Sequence, residues 1–168
     1  LSLTVAIKIL VQSEDQSLLV AGGIKAMELT HPNIVRTFDV LAEDDTTAII
    51  TELVKGQSLA ETLRGKANGF MEYLEIAQWA GDLFSALCFS WNQCRAIHGD
   101  IRLTNLITNA SDTLKIADFP FAGLRQDRSI MELGAQSTGG ISLPNLSPQL
   151  VAGERPVHAD DVYAAAAS

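Results

Sequence analysis

Residues 72 to 94 are the longest stretch in which apolar side chains return with a helical period, at Leu74, Ala77, Leu83, Leu87 and Trp91, so a large part of the core has to be built on one long helix. The residues before it have a different character. Leu3 to Val11 is β-branched and apolar around a single lysine, Lys8, and predicts a strand buried on both faces or packed under a sheet. Gln16 to Leu29 carries a weaker helical pattern interrupted by Gly22-Gly23. Each glycine costs a helix about 1 kcal/mol relative to alanine, which predicts a helix with a damaged middle. Ile34 to Ala42 and Thr46 to Val54 predict a hairpin turning at Glu43-Asp44-Asp45. Lys55-Gly56-Gln57 is a breaker, and Ser58 with Glu61 three residues later is a capping box that opens a short helix. After the long helix come short pieces, Ile97 to Asp100, Asn105 to Thr108 and Thr113 to Ile116, the last two joined by a tight turn at Asn109-Ala110-Ser111-Asp112. Ala122 to Leu146 has little periodicity and is too long for a plain connector, which predicts a functional or mobile loop.

Charge excludes one class of partner. With 12 Lys+Arg against 20 Asp+Glu the 168 residues carry a net charge of -8, the wrong sign for a nucleic-acid backbone. Cys88 and Cys94 lie six apart on the long helix and point to different faces, so they make neither a disulfide framework nor a metal site, and a reducing, cytoplasmic setting is expected. No apolar run approaches the roughly 18 residues that would span a bilayer. The start at Leu1-Ser2-Leu3-Thr4 and the uncapped apolar pattern from Val162 to Ser168 read as cuts within a longer chain.

Four separated stretches carry the chemistry. Val5-Ala6-Ile7-Lys8 places a lysine inside a strand, where it ordinarily snorkels to solvent but can hold its ammonium for an anion such as a nucleotide phosphate. His31-Pro32-Asn33-Ile34-Val35 leads from the first helix into a strand. His98-Gly99-Asp100-Ile101-Arg102-Leu103-Thr104-Asn105 sets an Asn five residues beyond an Asp, and Asp118-Phe119-Pro120 follows the strand Leu114-Lys115-Ile116. Singly, such aspartates and asparagines are turn-formers and loop caps.

In this order the four resemble the protein kinase signature of a V-A-I-K strand, an H-R-D-x-x-x-x-N catalytic loop and a D-F-G segment. Softer likenesses are Thr51-Glu52-Leu53-Val54 at the hinge, Leu146-Ser147-Pro148-Gln149 where A-P-E ends the activation segment, and Asp161-Val162-Tyr163 where the next helix starts. The resemblance runs from Leu3 to about Ala164. It implies an α+β, two-lobed fold: part of a small sheet lobe over residues 1–54 and part of a mainly helical lobe over 55–168. It also implies ATP and Mg2+ as cofactors and a protein substrate phosphorylated on Ser or Thr. On the matching positions, Lys8 would pair the α/β-phosphates, and Asp118 and Asn105 would hold Mg2+. Asp100 would accept the substrate hydroxyl proton, while Arg102, where Ser/Thr kinases usually carry Lys, could neutralise the moving phosphoryl group. Adenine would sit against Ala6 and Ile107 and hydrogen-bond the backbone of Glu52 and Val54, with Thr51 leaving room behind the base. His98 and Phe119 would be core members.

Three positions depart from the family pattern. The helix glutamate that should pair Lys8 falls at Gly22, the arginine of the catalytic loop is Gly99, and D-F-G has become D-F-P at Pro120. Proline there deletes an N–H that could bond the aspartate, a charge-assisted bond worth about 1.5–3 kcal/mol. Gly99 removes the arginine that reads an activation-loop phosphate. The retained Lys8, Asp100, Asn105 and Asp118 fit an enzyme. The three losses, all of positioning, fit a pseudokinase that holds nucleotide or acts as a scaffold.

Overall fold

A computed structural model describes residues 4–11, 16–119 and 145–168; Pro120 and most of the expected loop lie outside the described residues. Strands β1 (Val5–Val11), β2 (Thr37–Glu43) and β3 (Thr46–Glu52) form an antiparallel sheet in the order β1-β3-β2, with helix α1 (Gln16–Met27) packed on β2 and β3. A second antiparallel sheet, in the order β4-β5-β6, joins β4 (Gly56–Ser58), β5 (Leu106–Asn109) and β6 (Leu114–Ile116). Around it lie α2 (Leu59–Gly65), the long α3 (Tyr73–Cys94), the short α4 (Pro148–Val151) and α5 (His158–Ala167). The architecture is a two-lobed α+β fold, as the motif resemblance implies.

Helix α3 organises the larger core. Its buried face is Trp79, Leu83, Ala86, Leu87 and Ser90. These share an arc of about 100° at roughly 100° per residue, and burying each large apolar member is worth about 1.5–3 kcal/mol. Leu74, expected on that face, is 78 % exposed because nine residues carry it half a turn away from Leu83; Ala77 is exposed as well. The helix begins where the Glu75 carboxylate accepts the Glu72 N–H and ends at Arg95 in the left-handed region, φ 51°.

Several local expectations are corrected. Helix α1 runs unbroken through Gly22-Gly23, and both glycines are buried. A Cβ on Gly23 would collide with the Val40 side chain, so the missing side chain lets α1 lie close on β2, and packing outweighs helix propensity. Gly23→Leu should therefore lower stability by about 1–3 kcal/mol despite leucine's better helix propensity, measurable by urea denaturation. Strand β1 is not covered on both faces: Ile7 and Ile9 are 59 % and 62 % exposed. The strand expected from Ile34 starts at Thr37, while Ile34 makes an isolated parallel bridge to Ile116. The expected breaker at residues 55–57 contains the start of β4, which pairs with β5, a tertiary pairing too short for sequence alternation to reveal. The capping box at Ser58 and Glu61 is formed.

Residues 31–35 stitch the two sheets together. Val35 N donates to Ile116 O at 2.8 Å, Ile116 N to Asn33 O at 2.9 Å, and Asn33 Nδ2 to Leu114 O at 2.9 Å. Their common point is β6, which leads directly into Asp118.

Candidate active site

The residue before Asp118 holds the site together. Ala117 N donates to Asn105 O at 2.9 Å, and its carbonyl accepts His98 Nε2 at 2.7 Å. The loop 98–105 is thereby fastened at both ends to the turn that carries Asp118. Because a carbonyl can only accept, His98 carries its proton on Nε2, leaving Nδ1 to accept the Asp100 N–H at 3.1 Å. His98 is fully buried and meets the Phe119 ring edge-on at 4.7 Å, while Phe119 is 3 % exposed; both are core members, as expected.

Within the loop, Asn105 Nδ2 donates to Asp100 O at 2.9 Å and to Asp100 Oδ2 at 3.0 Å. Arg102 Nε lies 3.4 Å from the same Oδ2, a charge contact without hydrogen-bond alignment. Asp118 adopts φ 67°, a left-handed conformation that aspartate tolerates better than most residues, and its Oδ1 is 3.1 Å from Lys8 Nζ. Since Lys8 and Asp118 are 44 % and 34 % exposed, that pair contributes only about 0–1 kcal/mol and is easily exchanged for another partner. The helix position expected to supply a carboxylate for Lys8 is the buried Gly22, and Asp118 is one partner of the ammonium.

The base-binding candidates Ala6 and Ile107 lie one in each sheet. Ala6 pairs across strands with Thr51, and Ile107, in β5, is half-buried opposite Lys115. Behind Thr51 is a cavity of about 50 Å3 lined by Lys8, Val35, Thr37, Ile49, Ala117 and Asp118. A larger open cleft of about 420 Å3, bordered by Glu52, Val54, Lys55, Asn109 and Lys115, does not include Lys8 or Asp118. The Glu52 carboxylate is taken by Lys115 Nζ at 3.0 Å, its N–H donates to Arg36 O at 2.8 Å, and its carbonyl accepts Thr51 Oγ1 at 3.4 Å, which leaves only the carbonyl's second lone pair for a base.

One functional residue escaped the sequence argument. Asp161, expected only as a helix start, accepts the N–H groups of His98 and Gly99 on its two carboxylate oxygens, each at 2.7 Å. It thereby fixes the loop at the point where Gly99 takes φ 73°. That conformation costs glycine nothing and would strain an arginine, so Gly99 relieves the backbone while removing a cation. Burial pushes the Asp161 carboxyl above the usual carboxylate range, against the opposing pull of His98 and of the two donated N–H groups. A signal was available in principle: two adjacent aspartates, Asp160 and Asp161, in the first turn of a helix whose later turns are apolar.

His31 also departs from its ordinary value. Burial and the Lys115 ammonium hold it below its ordinary value, against Asp82. Its Nδ1 accepts the Asn33 N–H at 3.1 Å, so in the neutral ring Nε2 bears the proton facing Ser85 Oγ at 3.4 Å and cannot act as a base toward that serine.

No group of three or more His, Cys, Asp or Glu among the described residues could hold a metal alone, and no described helix is long and apolar enough to cross a membrane. Lys8 and Asp118 meet beside Ala117, and Ala117 is hydrogen-bonded to both ends of the loop that carries Asp100 and Asn105.

Comparison with known proteins agrees with that geometry. The family described as "Protein kinase domain" matches residues 2–167. The Serine/threonine-protein kinase PrkC of Bacillus subtilis (strain 168) is 31% identical over 139 residues, covering 83% of this chain and 20% of the relative. CBL-interacting protein kinase 31 of Oryza sativa subsp. japonica is 32% identical over 127 residues, covering 73% of this chain and 28% of the relative. The chain belongs to the protein kinase family. It spans between a fifth and somewhat over a quarter of the length of these two relatives, at 20% and 28%.

Proposed function

We propose that this chain forms the nucleotide-binding and catalytic-loop part of a protein kinase that transfers the γ-phosphoryl group of ATP to Ser or Thr of a protein substrate. The observation that carries this reading is the double attachment of Ala117 to the loop bearing Asp100 and Asn105, next to an Asp118 carboxylate 3.1 Å from Lys8 Nζ.

In this reading Lys8 exchanges its exposed pairing with Asp118 for the α/β-phosphates. Adenine lies against Ala6 and Ile107, reaching the Glu52 carbonyl and the Val54 backbone past the small Thr51. Asp118 and Asn105 fit Mg2+: they offer hard oxygens, and with Asn105 Nδ2 committed to Asp100, its Oδ1, which meets the Thr104 hydroxyl at 3.5 Å, is the atom that would hold the metal. Two protein oxygens suit an ion that keeps waters and phosphate oxygens as its other ligands, and when bound it supplies charge neutralisation across the β/γ-phosphates. Asp100, oriented by Asn105, takes the substrate hydroxyl proton as the new O–P bond forms and the bond to the β–γ bridging oxygen breaks, releasing ADP. Arg102, beside that carboxylate, balances charge on the phosphoryl group in flight. The free cysteines Cys88 and Cys94 suit a reducing, cytoplasmic compartment.

A second reading, a pseudokinase that binds nucleotide or scaffolds without efficient transfer, draws on the buried Gly22, which offers Lys8 no carboxylate from α1. Thermal unfolding of the full-length protein with ATP and Mg2+ separates the two. At ligand near 100 Kd, binding adds about 2.7 kcal/mol, which raises Tm by roughly 5–10 °C. A metal-dependent rise with phosphopeptide formation is expected, and Lys8→Ala should remove most of it. A rise without turnover supports the pseudokinase, and no rise overturns both nucleotide-binding readings.

A further inference from the structure

Helix α3 carries two apolar faces, and its own core uses only one of them. The buried face runs through Trp79, Leu83, Ala86 and Leu87. On the other side Leu74, Ala77, Gly81, Phe84 and Cys88 follow one another at intervals of three, four, three and four. At about 100° per residue these five share an arc of about 80°, whose middle lies roughly 155° from that of the buried face. Leu74 is 78 % exposed and Phe84 39 %, and Ala77, Gly81 and Cys88 are exposed as well. A surface helix ordinarily turns charged side chains outward. Among the 22 residues of α3 only Glu75 and Asp82 are charged, and neither belongs to the stripe. Glu75 pairs with Lys66 Nζ at 2.8 Å and Asp82 accepts the Leu114 N–H at 2.9 Å, so both are engaged within their own fold.

Alternating steps of three and four are the spacing of a helix–helix seam, and the sizes of these side chains select its orientation. Run antiparallel against a second copy, the stripe sets Leu74 opposite Phe84 of that copy and Ala77 opposite its Gly81, and the two-fold axis repeats both layers in reverse. Two small central layers then let the backbones approach, and a large pair closes each end. A Cβ on Gly81 would meet nothing within 4 Å in its own chain, so the space beside it is open to a neighbour. Phe70, 73 % exposed just ahead of α3, falls at the level of Cys88 of the second copy. A parallel pair would instead set Gly81 against Gly81 next to Phe84 against Phe84, a gap beside a crowded layer.

Charge and area agree. Two copies carrying -8 each repel, so a contact between them is least opposed on an uncharged strip, and the flanking Tyr73, Gln78 and Ser85 are neutral too. The strip from Leu74 to Cys88 is about 21 Å long on a helix about 10–12 Å wide, room to bury roughly 400–500 Å2 per copy, about half of what a stable interface buries. We propose that α3 pairs antiparallel with α3 of a second copy through Leu74, Ala77, Gly81 and Phe84, forming a weak two-fold dimer. The pairing holds whether or not the chain transfers phosphate.

Sedimentation equilibrium of the full-length protein under reducing conditions tests it. A dimer with a Kd between about 10 µM and 1 mM is expected. Gly81→Lys sets like charges into the central layers at a position with open space, and Leu74→Asp does so at the ends. Each should raise Kd about tenfold or more while monomer Tm and helix content stay as in the wild type. A protein that stays monomeric up to about 1 mM overturns the proposal, as does a dimer that both variants leave intact. Orientation has its own readout. On oxidation, a mixture of Ala77→Cys and Gly81→Cys proteins should yield a disulfide joining those two positions, mapped by mass spectrometry. In the antiparallel pair the two Cys88 residues stand about 27 Å apart along the axis, so a Cys88–Cys88 link in its place overturns the arrangement.

Discussion

Replacing Asp100 with asparagine should lower kcat by about two to four orders of magnitude while leaving Mg-ATP affinity nearly unchanged. The substitution is isosteric and keeps an oxygen for the donor that aims the side chain, Asn105 Nδ2 at 3.0 Å. What disappears is the charge that makes the group a base. If hydroxyl deprotonation is its task, the loss falls on the chemical step and not on binding. Single-turnover kinetics with saturating nucleotide would measure it. An Asp100→Asn protein that phosphorylates peptide at the wild-type rate would remove Asp100 from the base role, whereas a matching fall in nucleotide affinity would mean that Asp100 acts on the nucleotide. Lys8→Ala should show the reverse pattern, with affinity falling first, because its Nζ stands on the Asp118 side of Ala117.

The contrast between these two residues also explains what was legible in the sequence. Lys8, Asp100, Asn105 and Asp118 were readable because each lies in a short motif whose spacing is local, and the order of the motifs along the chain implied the fold that brings their strands and loops together. What the sequence hid depends on tertiary contact. Gly23 looked like helix damage because nothing local reveals that Val40 comes to lie where its side chain would be. Ile34 looked like the start of a strand because its β-branched neighbours are shared by a strand and by the single bridge it makes with Ile116, eighty-two positions away. Leu74 was placed on the core face by its residue type, although half a turn of helix separates it from Leu83. Asp161 hid for the opposite reason. Its partners are backbone N–H groups, which every residue possesses, so no motif spacing marks them.

Asp161 is therefore where the second large effect is expected. Asp161→Ala removes the acceptor of the buried His98 N–H and of the half-buried Gly99 N–H. At about 1–3 kcal/mol each, partly offset by no longer burying a carboxylate, the net destabilisation should be about 2–4 kcal/mol, a large share of a typical domain's 5–15 kcal/mol. The pH dependence has an unusual sign. Burial raises the folded-state value of this carboxyl above the unfolded one, so between the two values the native state holds more protons than the unfolded chain. Its contribution to stability is complete below the unfolded value of about 4 and fades as pH rises through the folded value. The gap between wild type and Asp161→Ala should then widen on acidification from pH 7 toward 4, where a carboxylate stabilised by an ion pair would make it narrow. Urea denaturation of both proteins across that range measures the gap directly. A narrowing gap would mean that the two N–H bonds outweigh burial at Asp161, and that the loop carrying Asp100 is held by a carboxylate favouring its charged form.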